Sequence, residues 1–328
     1  MRVDIHAHCY PQPYIEELKK AGIDESGGIG VFMVPWTSAG KRIESMDKLG
    51  VDIQFLSIST PGTYFSDEGL SLALAQMTND FIADICKKFP NRFMSFASIP
   101  LPNTKDATGE LDRAINELGM DGIFLGTHIN GKSLIDDRFI PLYEELNARK
   151  TRVAIHPMIP VYHNMMPVGY MEYGISFSIA FLFETSMAVT QMAFNGIFER
   201  FPDITFILPH SGGAIPFIYP RIDVGYESRP PSHPMRQIPH PPSYYFKKLY
   251  YETAFSYSPS SLRCTLDLAG VDHLLFGMDY PYSYGPFARD SIKKIEDFGF
   301  SEEEKEKVFF RNAMKIFPQI KEKLRKSE

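Results

Sequence analysis

Eight short apolar runs, each with a helical pattern between it and the next, set the tightest limit on what this chain can fold into. The runs are RVDIH (2–6), DIQFLSIS (52–59), RFMSFASIP (92–100), DGIFLG (121–126), RVAIHP (152–157), ITFILPH (204–210), KLYYET (248–253) and HLLFGM (273–278). They are nearly continuous in apolar, β-branched and aromatic residues, as strands buried on both faces are. Between them, 70–89, 107–119 and 139–150 carry apolar residues at helical spacing, the second ending on Gly119. The stretch 301–317 opens with Ser301 and Glu304 in capping-box spacing. Strand then helix, eight times over without a linker or repeat, predicts a (β/α)8 TIM barrel occupying 1–328 as one domain. A doubly wound open sheet would usually place a glycine-rich phosphate turn after the first strand, and none is there. Irregular loop insertions rich in Pro, Met and Tyr are expected after strands five (157–175) and six (226–246). They suit active-site walls or a subunit interface.

With 44% hydrophobic and 23% charged residues among 328, the chain can fill such a core. Net charge is −6, and the one basic stretch is the terminal KEKLRKSE, which argues against nucleic acid or an anionic membrane as partner. Cys9, Cys86 and Cys264 are odd in number and widely spaced, so a disulfide framework is not expected and a cytoplasmic location is. A strand pattern opens the sequence with no leader signal before it. The most apolar stretch, 174–198, is interrupted by Glu184 and reads as a buried helix of a soluble protein.

The histidines fall on this scaffold in a pattern. His6 and His8 are two apart on strand one and point to one side. His128 follows strand four, His156 ends strand five, His210 ends strand six and Asp279 follows strand eight. In a closed barrel those carboxyl ends converge on one mouth. Imidazoles and a carboxylate gathered there match the ligand chemistry of Zn²⁺ or another divalent transition ion. Any one of these histidines alone would more ordinarily be a core or rim residue bonded to a carbonyl; five of nine at strand ends is the signal. His163, His233 and His240, in proline-rich loops, and His273, at a strand start, read as surface or loop residues.

The motifs DIHAHCYP, LGTHIN, AIHPM, FILPHSGGAIPF, YPRID and LLFGMDYPY resemble the amidohydrolase superfamily. Within it they are similar to the decarboxylase branch typified by the 2-amino-3-carboxymuconate-6-semialdehyde decarboxylases, which includes enzymes of γ-resorcylate and 5-carboxyvanillate. The resemblance runs from strand one through strand eight. It implies that His6, His8, His156 and Asp279 bind one divalent metal, zinc in the first place and manganese as the alternative. It further implies that His210 acts as acid/base beside the metal, with His210 or Asp279 as proton donor. The activity implied is carboxy-lyase action on a small aromatic or unsaturated carboxylic acid. Metal-dependent hydrolysis of a lactone or amide at the same site is the alternative.

Arg221 in YPRID matches an arginine that in the branch reaches substrate across a dimer interface; a homodimer or higher homo-oligomer is implied, and a salt bridge to Asp223 is the structural alternative. The branch's other substrate arginine has no clear match in 21–47, where Arg42 is the sole arginine. That departure leaves open which acid of the class is the substrate. His128 is a further candidate for substrate binding. Trp36, with Phe32, Tyr64, Phe65, Tyr282 and Tyr284, offers aromatic surface near strand ends on which an aromatic or dienoic acid would stack, or caps the core.

Overall fold

A computed structural model of the chain describes residues 1–23, 36–161, 173–255, 258–283 and 286–325. Eight parallel strands form a single sheet: β1 (Val3–His8), β2 (Ile53–Ser57), β3 (Phe93–Ser98), β4 (Gly122–Gly126), β5 (Arg152–His156), β6 (Thr205–Leu208), β7 (Tyr250–Glu252) and β8 (Leu274–Leu275). Each pairs with the next in chain order. The sheet closes where the segment after β8 meets β1. There Ile5 N–H donates to Phe276 O (3.0 Å), Asp279 N–H to His6 O (2.8 Å) and His8 N–H to Tyr280 O (2.7 Å). The fold is the expected (β/α)8 barrel.

Two apolar layers hold it. Inside the barrel, Val3, Ile5, Phe55, Phe96, Phe124 and Ile207 pack on one another. Phe317, near the C-terminus, plugs that interior with its ring 4.6 Å from Phe55 and 5.8 Å from Phe96. Outside, a larger layer fills the space between strands and helices. The helices start and stop on local signals. Ser301 and Glu304 form the expected capping box, Asn103 caps Thr104–Asp112, and Gly50 and Gly196 end their helices in the left-handed conformation. The apolar helical segment Ser176–Asn195 is long and apolar enough to cross a membrane, but it packs on the barrel and buries Glu184.

Four features differ from the sequence expectation. A register shift in β1 between Asp4 and Ala7 is a bulge, so Ile5 and His6 both line the barrel interior although adjacent. Without it the apolar floor and the two histidines could not share one face. Strand six stops at Leu208, because Pro209 cannot donate to a ladder and His210 turns to φ +52°, and strand eight stops at Leu275, beyond which Phe276 N–H donates to Val308 O (2.9 Å). His273 lies in a 3₁₀ turn before β8 rather than in the strand. Finally, the irregular stretch 226–246 follows the helix Ile215–Glu227 rather than strand six, so it leads into β7 from the end opposite the mouth. Of the stretch 157–175, residues 162–172, including His163, lie outside the described residues.

One polar strut ties the closing seam to the helical layer. Arg42, buried in the helix Ala39–Leu49, donates from Nη2 to His8 O (2.7 Å) and from Nη1 to Gln54 Oε1 (2.8 Å). Gln54 Nε2 donates to Asp4 Oδ2 (2.8 Å), while Asp4 Oδ1 accepts from the backbone N–H of His6 (3.1 Å) and Met278 (2.9 Å). The guanidinium also lies over the rings of Tyr280 (4.2 Å) and Trp36 (4.9 Å). Arg42→Ala leaves a buried carbonyl and amide unpaired and is expected to cost about 3 kcal/mol in guanidinium chloride unfolding. Arg42→Lys is expected to recover less than half of that, since one ammonium cannot reproduce the fork.

Candidate metal centre

Four side chains from three parts of the sheet meet at the mouth. His6 and His8 come from the end of β1, His156 is the last residue of β5, and Asp279 follows β8. His6 Nε2 and His8 Nε2 are 3.0 Å apart, and Asp279 Oδ1 lies 3.4 Å from the former and 3.0 Å from the latter. The His156 ring is 5.2 Å from His6 and 5.0 Å from His8, centroid to centroid, and packs on Phe124 of β4. One donor atom from each of the four falls within 4.8 Å of the others, and all four residues are buried. Asp279 reaches the group by adopting φ +56°, a turn in which its carbonyl accepts from Tyr282 and Ser283 N–H.

The outward-facing nitrogens decide which atoms point inward. His6 Nδ1 lies 3.0 Å from Glu252 Oε1, His8 Nδ1 2.9 Å from Ser57 Oγ, and His156 Nδ1 2.9 Å from Pro157 O. Carboxylate and carbonyl only accept. Ser57 donates its own proton to Ala7 O (3.2 Å) and so accepts from His8. Each imidazole is therefore protonated at Nδ1, and each Nε2 lone pair faces the centre. Two lone pairs 3.0 Å apart repel one another unless a cation or a proton stands with them. His156 Nε2 and Asp279 Oδ1 are buried with no hydrogen-bond partner. This donor set fits one divalent transition ion: three neutral nitrogens and one anionic oxygen.

The electrostatics agree. Burial favours the neutral form of Asp279, but His6, His210 and His8 outweigh it and hold the carboxyl well below its usual range. Burial pushes His8 down to about 4, and burial with the neighbouring imidazoles pushes His156 well below its usual value. For His6, burial is overcome by the carboxylates of Asp279 and Glu252, which raise it to about 9. A proton and a metal ion therefore compete for His6, which makes ion binding weaker toward acid pH.

His210 stands beside this group. Its Nε2 is 3.4 Å from Asp279 Oδ2, its Nδ1 is buried without a partner, and its backbone N–H donates to Glu252 Oε1. It thus touches the cluster through Asp279, as an acid/base group would. Glu252 and Ser57 are the residues that sequence reasoning missed. Both sit near the carboxyl ends of predicted strands, and the carboxylate in the penultimate position of the buried-strand run KLYYET is the available signal for the first.

Other candidates lie elsewhere. His128 Nε2 donates to Ile159 O (2.9 Å) and its Nδ1 accepts from Gly131 N–H (3.1 Å), so both nitrogens hold the small hairpin His128–Ile129/Lys132–Ser133. Trp36 packs edge-on against Phe81 and Phe93 and beside Arg42, as a cap on the core. Of the aromatic candidates named from the sequence and described in the structure, Tyr282 reaches the cluster, 6.1 Å from the His8 ring with its hydroxyl 2.9 Å from that of Tyr10. Tyr64 is buried, its hydroxyl taken up by the β4 backbone, and half-buried Phe65 packs against the outer core layer. Phe32 and Tyr284 lie outside the described residues. Arg221 is exposed on the helix Ile215–Glu227, and Asp223 accepts instead from Ser243 N–H (3.0 Å). His233 caps a 3₁₀ turn, His240 stacks on Tyr244, and His273 Nδ1 donates to Leu249 O.

The family model described as amidohydrolase matches residues 3–319. A 2-amino-3-carboxymuconate-6-semialdehyde decarboxylase of Dictyostelium discoideum is 32% identical over 277 residues, 84% of this chain and 75% of its own length. A 6-methylsalicylic acid decarboxylase of Penicillium expansum is 28% identical over 328 residues, covering 98% of this chain and 97% of its own. The solved 5-carboxyvanillate decarboxylase of Novosphingobium aromaticivorans, complexed with manganese and 4-hydroxy-3-methoxy-5-nitrobenzoic acid, matches in fold with TM-score 0.84 at 23% identity. That match covers 97% of this chain and 96% of the solved one. Protein purified without chelators is expected to hold about one equivalent of divalent transition metal per chain, and His156→Ala less than half of that. Elemental analysis showing full occupancy in His156→Ala would remove His156 from the ligand set.

Proposed function

This chain belongs to the amidohydrolase family, and from that premise we propose that it is a metal-dependent decarboxylase acting on a small aromatic or unsaturated carboxylic acid. The observation that carries lyase chemistry over hydrolysis is the activity named for its relatives: the curated ones reported above are decarboxylases spanning most of the chain. The converging donors of His6, His8, His156 and Asp279, with His210 against Asp279, supply the machinery such a reaction needs.

Those four side chains would hold a divalent ion, which when bound would supply Lewis-acid chemistry to the substrate's oxygens. The chain's own residues do the rest. Departure of CO₂ leaves an electron pair on the carbon that bore it, and that carbon takes a proton, so that R–CO₂⁻ and H⁺ become R–H and CO₂. His210 delivers it, with Asp279 Oδ2 at 3.4 Å orienting the ring. Of the two ions expected, manganese is the first to test, because the solved relative carries it; zinc fits the same donors.

Assembly and location extend the proposal. Phe177, Phe183 and Met187 on Ser176–Asn195, and Phe217 and Val224 on Ile215–Glu227, are exposed. Arg221 is one turn from both Phe217 and Val224 on the same face. A second copy seated there forms a homodimer and brings Arg221 into the contact, where a carboxylate would pair with it. The three cysteines are all free, in keeping with a cytoplasmic enzyme.

The test is CO₂ release from a panel of hydroxybenzoates and muconates, set against hydrolysis of lactones and amides. Metal-loaded protein is expected to release CO₂ from at least one acid and to leave one deuterium on the product in D₂O. His210→Asn is expected to lower kcat by about 10²–10⁴ while keeping its metal. Ester or amide cleavage without CO₂ release would overturn the reading.

A further inference from the structure

We propose that Glu252 is a positioning residue that ties the ligand His6 to the proton carrier His210. The inference rests on the metal centre and adds to it a residue that touches neither ion nor substrate. Glu252 ends β7 and is 2% exposed, and both of its oxygens are engaged. Oε1 accepts from His6 Nδ1 at 3.0 Å and also from the backbone N–H of His210. Oε2 accepts from Ala254 N–H at 2.5 Å. One oxygen atom therefore joins a residue of β1 to one in the turn after β6, and the two have different roles.

Each bond has its own consequence. The bond to His6 fixes the imidazole with its proton on Nδ1, so that the Nε2 lone pair faces His8 and Asp279. The bond to His210 holds a non-glycine residue at φ +52°, and Ser211 follows it at +55°. That conformation is unfavourable for L residues unless the surroundings impose it, and here it turns the His210 ring onto Asp279. Room for the carboxylate comes from Gly277 on the seam side, where an added Cβ would run into Glu252 Oε2 and meet His6 Cβ at 3.1 Å. An aspartate, shorter by one carbon, would withdraw from both partners.

The experiment compares wild-type protein with Glu252→Gln, which keeps the shape and removes the charge. It reads Mn²⁺ affinity by titration, the visible spectrum of the Co²⁺-loaded protein, and kcat and KM at saturating metal. Glu252→Gln is expected to weaken Mn²⁺ binding by about ten- to a hundredfold and to alter the Co²⁺ spectrum. With metal saturated, kcat is expected to remain at least about tenfold down with KM changed by less than about threefold. Gly277→Ala pushes on the same carboxylate from the other side and is expected to show the same signature; it decides the question if Glu252→Gln does not fold. A glutamate that only closes a strand end would lower the melting temperature and leave affinity, spectrum and loaded kcat at wild-type values, and that result would overturn the proposal. Wild-type protein that binds no metal would instead end the metal reading, which separates the two failures.

Discussion

The closing seam of the barrel is the interaction on which the site depends. β1 and the segment after β8 are joined by three backbone hydrogen bonds, and two of them involve the groups that present the cluster: Asp279 N–H to His6 O and His8 N–H to Tyr280 O. The residues of first and last strand are therefore brought to one point by the same bonds that make the sheet cyclic. An open sheet of the same strands would separate His6 and His8 from Asp279 by its full width. Closure in turn depends on the plug beneath it, since Phe317 fills the interior against Phe55 and Phe96. It also depends on the strut in which Arg42, Gln54 and Asp4 hold the seam's backbone.

Charge and hydrogen bonding then define the centre. Burying three imidazoles and two carboxylates is costly unless each group is paired. Here Glu252, Ser57 and the Pro157 carbonyl take the outward nitrogens, leaving the inward ones to a cation or a proton. Asp279 serves both sides of the arrangement, with Oδ1 toward the imidazoles of β1 and Oδ2 toward His210. In the proposed reaction one carboxylate therefore joins binding to proton transfer.

The barrel was legible because strands buried on both faces are apolar along their whole length, and eight such runs are hard to miss. His6, His8, His156 and Asp279 were legible because each sits at a strand's carboxyl end, and the topology brings those ends together. The bulge in β1 was not, since it changes the pairing with β2 without leaving a mark such as glycine or proline. Glu252 escaped because a carboxylate after Tyr251 reads equally well as a strand end facing solvent. His128 lies just after β4, yet its two nitrogens serve a hairpin, which depends on Gly131 and Ile159 lying within reach. Arg221 reads as a substrate residue only in a second copy's context, and its exposed position on a helix is what a single chain shows.

The central claim is that one divalent ion sits among β1, β5 and the turn after β8. Anomalous diffraction from crystals of the metal-loaded protein, recorded on both sides of the ion's absorption edge, tests it most directly. The account predicts a single peak per chain within about 2.3 Å of Nε2 of His6, His8 and His156 and of an Asp279 oxygen. No peak there, or one centred instead on Glu252 and His210, would contradict it.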